Sequence, residues 1–351
     1  MGHGGYEQLA YRDIPRPSPQ PGEVLIRVGA AGVNNTDINT RTAWYSKAVT
    51  EGTTAAAAAS GHASADPDDP GWSGRTFHFP RIQGADACGR IVAVGADVPA
   101  QRIGERVLVE PVFVKDRAAG PGGAIYFGSE CDGAFAEFAC VPSAHAHRIE
   151  SPLTDAELAS FPCAYSAAEN MLTRAQVRTS DSVLVTGASG GVGSAAVQLA
   201  RARGARVMAV AAAAKARDIL ALGAARVLAR TADLIAELGR ESVDVVIDVA
   251  GGPQFPALLE VLRRGGRYAV AGAIAGPVVP LDLRTLYLKD LRMFGCTVLD
   301  APVFPALIRH IEAGRIKPLV AAVHPLREIV AAQQQFLAKQ HIGKIVLVPD
   351  G

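Results

Sequence analysis

The chain has 351 residues, enough for two domains of about 150 residues each. Its 49% hydrophobic and 20% charged residues support a sizeable buried core and exclude a disordered chain. Lys and Arg number 35 against 34 Asp and Glu, so a net charge of +1 leaves no basic excess for a dedicated nucleic-acid binder.

Up to about residue 145 the chain reads as β-rich, with short β-branched runs at 23–28, 89–95 and 105–109 punctuated by Gly and Pro. Between Ser46 and Pro80 the periodicity disappears into an alanine run at 55–59 and then Asp66-Pro67-Asp68-Asp69-Pro70-Gly71, which predicts a long loop or lid. From Thr154 strands and helices alternate. Thr154 and Glu157 have capping-box spacing and open a helix. Strands follow at 182–186, 205–210, 226–229, 243–249 and 267–271. Between them helices are expected at 192–200, at 215–222, from near Thr231, and from Pro253 to a stop at Gly265-Gly266. This βαβ repetition implies a parallel sheet covered by helices on both faces. A helix ended by Gly314, another near 326–339 and a last strand at 344–348 close the chain.

The longest clean apolar run, residues 207–214, is far short of the roughly 18 that a membrane span needs. No basic and apolar leader follows Met1, so no secretory signal is expected. Five scattered cysteines without a CxxC pair fit a reducing cytoplasm and argue against a disulfide framework or a zinc ribbon. His145 and His147, two apart with no Cys nearby, share one strand face and read as surface residues.

The turn Gly187-Ala188-Ser189-Gly190-Gly191-Val192-Gly193 sits between a predicted strand and a predicted amphipathic helix, which is the context that turns a glycine motif into a dinucleotide site. There the helix N-terminus and a bare backbone accept a pyrophosphate. The next strand ends in Val210-Ala211-Ala212-Ala213-Ala214, with no carboxylate for an adenosine ribose 2′-hydroxyl. Lys215 and Arg217 follow and are placed to pair a 2′-phosphate, so NADP(H) is expected over NAD(H). The competing reading is two solvated cations in a helix's first turn, where they oppose the dipole.

Taken with Pro21-Gly22-Glu23-Val24-Leu25-Ile26, Ala31-Gly32-Val33-Asn34-Asn35-Thr36-Asp37, Gly84-Ala85-Asp86-Ala87-Cys88-Gly89, Val243-Asp244-Val245-Val246-Ile247-Asp248 and Gly343-Lys344-Ile345-Val346-Leu347, the chain resembles the medium-chain dehydrogenase/reductase superfamily over nearly its whole length. The resemblance implies an α/β protein: a GroES-like β-rich substrate domain from residues 1–148 and 300–351, and a Rossmann doubly wound parallel-sheet domain over 149–299. It also implies a β-strand ahead of Gly2-His3-Gly4-Gly5, where this sequence has only Met1.

Zinc-dependent alcohol dehydrogenases of that superfamily carry Cys and His at the positions that resemble Asn34 and Ala85, and a third ligand at one resembling Cys163. Two of three ligands are therefore replaced by groups that cannot supply thiolate or imidazole. No cysteine falls within 111–130, where those enzymes hold a structural zinc. Thr36, Asp37, Asp86 and Cys163 resemble the remaining relay, supporting and ligand positions, and a substituted site would need His62 or His78 from the 46–80 segment. Asn34 and Tyr45 look like the nicotinamide-side and substrate-side residues of the zinc-free quinone oxidoreductase branch.

Without a metal, the acceptor should carry its own charge sink, as a quinone or α,β-unsaturated carbonyl does, and Asn34, Tyr45 and Thr36 are the candidate hydrogen-bond donors. By resemblance, Ala250, Gly272, Ala273 and Lys344 line the NADP(H) site. The expectation is an NADPH-dependent quinone or enone reductase of small molecules, with no nucleic-acid or membrane partner, and a homodimer joined at a sheet edge formed by 291–298. An alcohol dehydrogenase with a degenerate zinc site and a non-catalytic NADPH-binding sensor or structural protein are the alternatives.

Overall fold

The computed structural model describes residues 1–66, 69, 76–114 and 123–350. The first strand, β1 (Glu23–Gly32), is buried along most of its length and forms the spine of the larger sheet. Then come α1 (Asn35–Arg41), α2 (Ala55–Ser60), β2 (Cys88–Val94), β3 (Arg106–Val109), the paired strands β4 (Val112–Val114) and β5 (Ala124–Tyr126), β6 (Phe138–Pro142) and β7 (Ala146–Arg148). Helix α2 corrects the expectation of a featureless 46–80 segment. Alanine is the best helix former, and Thr54 caps the run by accepting from the Ala57 amide at 3.1 Å. Positions 67, 68 and 70–75 of that segment, and 115–122 of the 111–130 region, lie outside the described residues.

The alternating half contains α3 (Asp155–Leu158), α4 (Pro162–Arg174), β8 (Ser182–Val185), α5 (Gly191–Ala202), β9 (Arg206–Ala211), α6 (Ala216–Ala221), β10 (Arg226–Ala229), α7 (Leu234–Leu238), β11 (Val243–Asp248), α8 (Phe255–Val261), β12 (Leu262–Val270), α9 (Leu283–Leu288) and β13 (Arg292–Gly295). The predicted capping box at α3 is present, Thr154 and Glu157 each satisfying the other's amide. The strands are ordered β10-β9-β8-β11-β12-β13 and every pair is parallel, a doubly wound Rossmann-type sheet whose order reverses between β8 and β11. The expected stop of α8 at Gly265-Gly266 is corrected: the helix ends at Val261, and both glycines lie within β12. Leu262 already pairs with Val243, and Gly265, at φ +69°, accommodates the register shift that follows.

The chain closes with α10 (Val303–Glu312), β14 (Val320–Pro325), α11 (Ile329–Leu337) and β15 (Lys344–Val348). The larger sheet runs β14-β15-β1-β2-β3-β7, with β6 also on β1, so it draws strands from both chain ends. Antiparallel pairing sets Gly32 opposite Val346 and brings the start of β15 beside the end of β1. Between the sheets, Phe161, Tyr165 and Phe304 are fully buried, and the Tyr165 hydroxyl donates to the Lys317 carbonyl at 2.7 Å. Among the described residues no helix is long and apolar enough to cross a membrane.

Candidate active site

At the switch point, β8 runs into the glycine turn and α5. Gly187 has φ +56°, and a Cβ on Gly193 would lie 2.3 Å from the Gly187 carbonyl oxygen, so both positions require glycine. Gly190 is the N-cap of α5 and no side chain caps it. A Cβ there would meet only the Gly187 oxygen at 3.5 Å, so space is open in front of the first amides of a twelve-residue helix. Ala188 is buried and bonded to Val210, while Ser189, Gly191 and Val192 are half-buried along the rim. This cradle fits the pyrophosphate of a dinucleotide.

The neighbouring strand ends complete the cleft. Asp248, fully buried, accepts from Thr186 Oγ1, the Ala250 amide and the Gly251 amide through one oxygen and from the Tyr268 hydroxyl through the other. That carboxylate holds the turn carrying Ala250 against the loop carrying Gly272 and Ala273, where Ala275 donates to the Ala250 carbonyl at 2.8 Å. The 46–80 segment reaches the same loop, since the Thr53 amide donates to the Ile274 carbonyl at 3.1 Å.

Lys215 is engaged with protein groups, its Nζ donating to the carbonyls of Lys339 and His341 at 2.7 and 2.5 Å. Arg217 is exposed. Sequence reasoning missed Lys339 and His341, which the C-terminal segment brings to Lys215. Burial and the Lys215 charge pull the Lys339 ammonium down to about 8. Burial, then Lys339, Lys215 and Lys344, hold the His341 imidazole at about 4, so it is neutral near pH 7.

The innermost site is built where β1 ends. Asn34 is the N-cap of α1, and Asp37 accepts from the Asn34 amide at 2.8 Å and from the Ala85 amide at 3.3 Å, tying two loops together. Burial lifts the Asp37 carboxyl to about 7 against the pull of those amides and of Lys344. The Asn34 side chain donates to Asp86 Oδ2 at 2.8 Å and to the Gly32 carbonyl at 3.2 Å, and its oxygen accepts from Lys344 Nζ at 2.5 Å. Lys344 also donates to Asp86 Oδ2 at 2.7 Å, and Asp86 Oδ1 accepts the Cys163 amide at 2.6 Å. Asp86 thus caps the N-terminus of α4, whose dipole favours its charge. Thr36 Oγ1 is buried without a hydrogen bond of standard geometry. The Tyr45 phenol faces the Thr36 and Asn39 side chains, and burial raises its pKa despite them, leaving a neutral donor.

This donor set does not suit zinc. Asn34 and Ala85 offer no anionic or imidazole ligand, burial and Asp86 push the Cys163 thiol up and oppose its thiolate, and an ammonium sits among them. His62 pairs instead with Glu51 and His78 is exposed. Among the described residues no group of three His, Cys, Asp or Glu side chains could hold a metal ion. The reading of His145 and His147 as surface residues is corrected: both bond Glu110 Oε2, at 3.1 and 3.0 Å, and His145 and Glu110 are buried. Glu110 lies far away in sequence, so no local spacing reveals the cluster.

Residues 20–151 match the alcohol dehydrogenase GroES-like domain family and residues 191–313 the zinc-binding dehydrogenase family. The chain therefore belongs to the medium-chain dehydrogenase/reductase superfamily, a family of oxidoreductases that bind a nicotinamide dinucleotide. The acryloyl-coenzyme A reductase of Metallosphaera sedula is 28% identical over 98% of this chain and 96% of its own length. The quinone oxidoreductase of Lama guanicoe is 28% identical over 98% and 94%. The crystal structure of a candidate alcohol dehydrogenase from Sinorhizobium meliloti shares 46% identity and a TM-score of 0.88, covering 99% of this chain and 95% of that one.

Proposed function

We propose that the protein is an NADPH-dependent reductase of quinones or α,β-unsaturated carbonyl compounds that works without a catalytic metal. The observation that carries this reading is the Asn34–Asp86–Lys344 cluster, a bonded set of amide, carboxylate and ammonium where metal ligands would have to converge. When bound, the reduced nicotinamide supplies a hydride. The chain's own residues then have to receive an acceptor whose product charge is spread over a phenolate or enolate, a lighter demand than a localised alkoxide makes.

In this reading the turn from Gly187 to Gly193 seats the pyrophosphate, with Ala250, Gly272 and Ala273 along the cofactor. Lys215 and Arg217 meet the 2′-phosphate, which must draw Lys215 away from two carbonyls. Tyr45 and Thr36 face the acceptor as neutral donors. Residues 1–148 with 300–351 form the substrate unit and 149–299 the cofactor unit, in a cytoplasmic protein. A homodimer through β13 is part of the proposal: the strand is a sheet edge, and Val278, Leu283, Tyr287 and Leu288 are exposed on the segment leading to it.

The test is NADPH oxidation by metal-analysed protein with 1,4-benzoquinone, acryloyl-coenzyme A, a simple enal and a saturated aldehyde. Turnover of the first three without stoichiometric zinc is expected. Zinc-dependent turnover of the saturated aldehyde overturns the reading in favour of an alcohol dehydrogenase, and tight NADPH binding without any turnover favours a sensor or structural role.

A further inference from the structure

The three hydrogens of the Lys344 ammonium are unequally used. One goes to Asn34 Oδ1 and one to Asp86 Oδ2, and among the described residues no group accepts the third. Asn34 is in the opposite condition. Both its amide hydrogens are taken, by Gly32 and Asp86. Its orientation is fixed as well, because an ammonium only donates, so the amide oxygen must face Lys344. Asn34 therefore has no hydrogen left for a substrate, whereas Lys344 has one.

The lysine's path places this hydrogen at the junction of the two sheets. Its stem crosses Gly32, where a Cβ would lie 2.9 Å from Lys344 Cε, and passes Gly191 at the mouth of the glycine turn, where a Cβ would lie 3.3 Å from Cδ. Lys344 is nearly fully buried, while the adjoining Cys163 and Gly191 are half-buried and open the site toward the cleft. Asp86 is itself anchored by the Cys163 amide, so the ammonium is held from two sides among buried groups, where a fixed cation acts more strongly on a developing anion than at the surface.

We propose that Lys344 is the catalytic cation of this site, donating its third N–H to the oxygen of the acceptor, and that Asn34 and Asp86 are positioning residues that aim it. This rests on the reductase reading above. Hydride addition forms a C–H bond at the β-carbon of an enone, the C=C pair moves to join the α-carbon to the carbonyl carbon, and the carbonyl π pair passes to oxygen. Lys344 neutralises that oxyanion through the hydrogen bond, and the enolate then takes its proton from water. In a quinone the same contact meets the phenolate oxygen.

The probe is 4-nitrophenol, a stable mimic of the oxyanion, titrated spectrophotometrically into NADP⁺-loaded protein below the pKa of the free phenol. The wild type should bind it as the coloured phenolate, and K344M should not. With acceptor and saturating NADPH, K344M should lose ~100-fold or more in turnover, while the NADPH dissociation constant stays within ~3-fold of wild type. Because K344M leaves Asp86 without its cation, K344M/D86N, which removes both charges, is measured beside it. The same phenolate signal in wild type and both variants overturns the proposal, as does no nitrophenol binding to the wild type. A rise of ~10-fold or more in NADPH dissociation constant with turnover kept makes Lys344 a cofactor contact instead. Lys344-dependent phenolate binding in a protein that reduces no acceptor leaves the anion site standing and removes the reductase reading.

Discussion

Lys215 Nζ donates to the main-chain oxygen of His341 at 2.5 Å, so a cation placed by the end of β9 is tied to the segment that leads into β15. The same nitrogen bonds the Lys339 carbonyl at 2.7 Å, and the Lys339 ammonium bonds Asn35 Oδ1 at 3.2 Å. A 2′-phosphate arriving here must compete with two carbonyls, and it does so as a doubly charged acceptor among several cations. K215M is therefore expected to weaken NADPH binding ~10-fold or more, the value of one charge-assisted hydrogen bond, and NADH binding less than ~2-fold. Fluorescence titration of both nucleotides reads this directly. Equal losses for both would reduce Lys215 to a tie between the two units. Since Lys339 loses its proton near pH 8, NADPH affinity should also decline as the pH rises through that value, because the ammonium is present only below it.

Two glycines in one turn should respond in opposite ways to alanine. At Gly193 a Cβ would lie 2.3 Å from the Gly187 oxygen and 2.7 Å from Ala188 Cα, backbone atoms that cannot yield, so G193A should cost several kcal/mol or abolish soluble expression. At Gly190, with φ −81°, the added methyl meets only an oxygen at 3.5 Å, so G190A should melt within ~3 °C of wild type. The methyl projects into the space assigned to the pyrophosphate, and G190A should bind NADPH ~10-fold or more weakly. A folded G190A with wild-type nucleotide affinity would place the pyrophosphate elsewhere.

The glycine turn was legible because it is local: strand, turn and helix follow one another, and each carries its own signature. Strands β10 and β15 fall on their predicted spans for the same reason. Helix α4 was not legible. Its Ala164, Tyr165, Ala168, Met171 and Leu172 are buried beside Ser166, Glu169 and Asn170, so no clean polar face marks a 3.6-residue period. The innermost cluster was seen only in pieces. Asn34, Asp86 and Lys344 lie on three distant segments, and it is the pairing of β15 and of β2 with β1 that joins them. Placing Lys344 along the cofactor and Asp86 as a supporting residue gives each a position but not their mutual bond, which no local motif carries.

Glu110 ties acid stability to one buried cluster. Burial alone would raise its pKa, but the hydrogen bonds and charges of His145 and His147 outweigh it and hold the carboxyl at about 2 against an ordinary 4.5. The unfolded chain therefore binds more protons than the native one between these values. The stabilisation, ~2–3 kcal/mol, is complete above pH ~4.5 and is lost as the pH falls toward 2. E110Q should melt well below wild type at pH 7, and the gap should shrink at pH 3. A gap that stays constant from pH 7 to pH 3 would mean that Glu110 acts by packing and not by its charge.

Asp248 offers a separate handle on the cofactor cleft, because its carboxylate stabilises structure while shaping a ligand-side turn. One oxygen gathers Thr186 Oγ1 at 2.5 Å and the amides of Ala250 and Gly251 at 2.9 and 3.1 Å; the other takes the Tyr268 hydroxyl at 2.5 Å. All four partners donate, so the amide of D248N must turn its NH₂ toward at least one donor, and each backbone amide left facing it is unsatisfied at ~1–3 kcal/mol. If the NH₂ faces Tyr268, the tyrosine hydroxyl can rotate and accept, and the loss is small. If it faces the three donors at Oδ1, the Ala250 turn loosens. Measuring D248N beside Y268F separates these cases: an NH₂ turned toward the three Oδ1 donors gives weaker NADPH binding in D248N and near wild-type binding in Y268F, whereas an NH₂ turned toward Tyr268 leaves both near wild type. An unchanged D248N would place its NH₂ on the Tyr268 side, and D248A, which removes both oxygens, would then decide: D248A with wild-type nucleotide affinity would show that Asp248 does not hold the Ala250 turn in place.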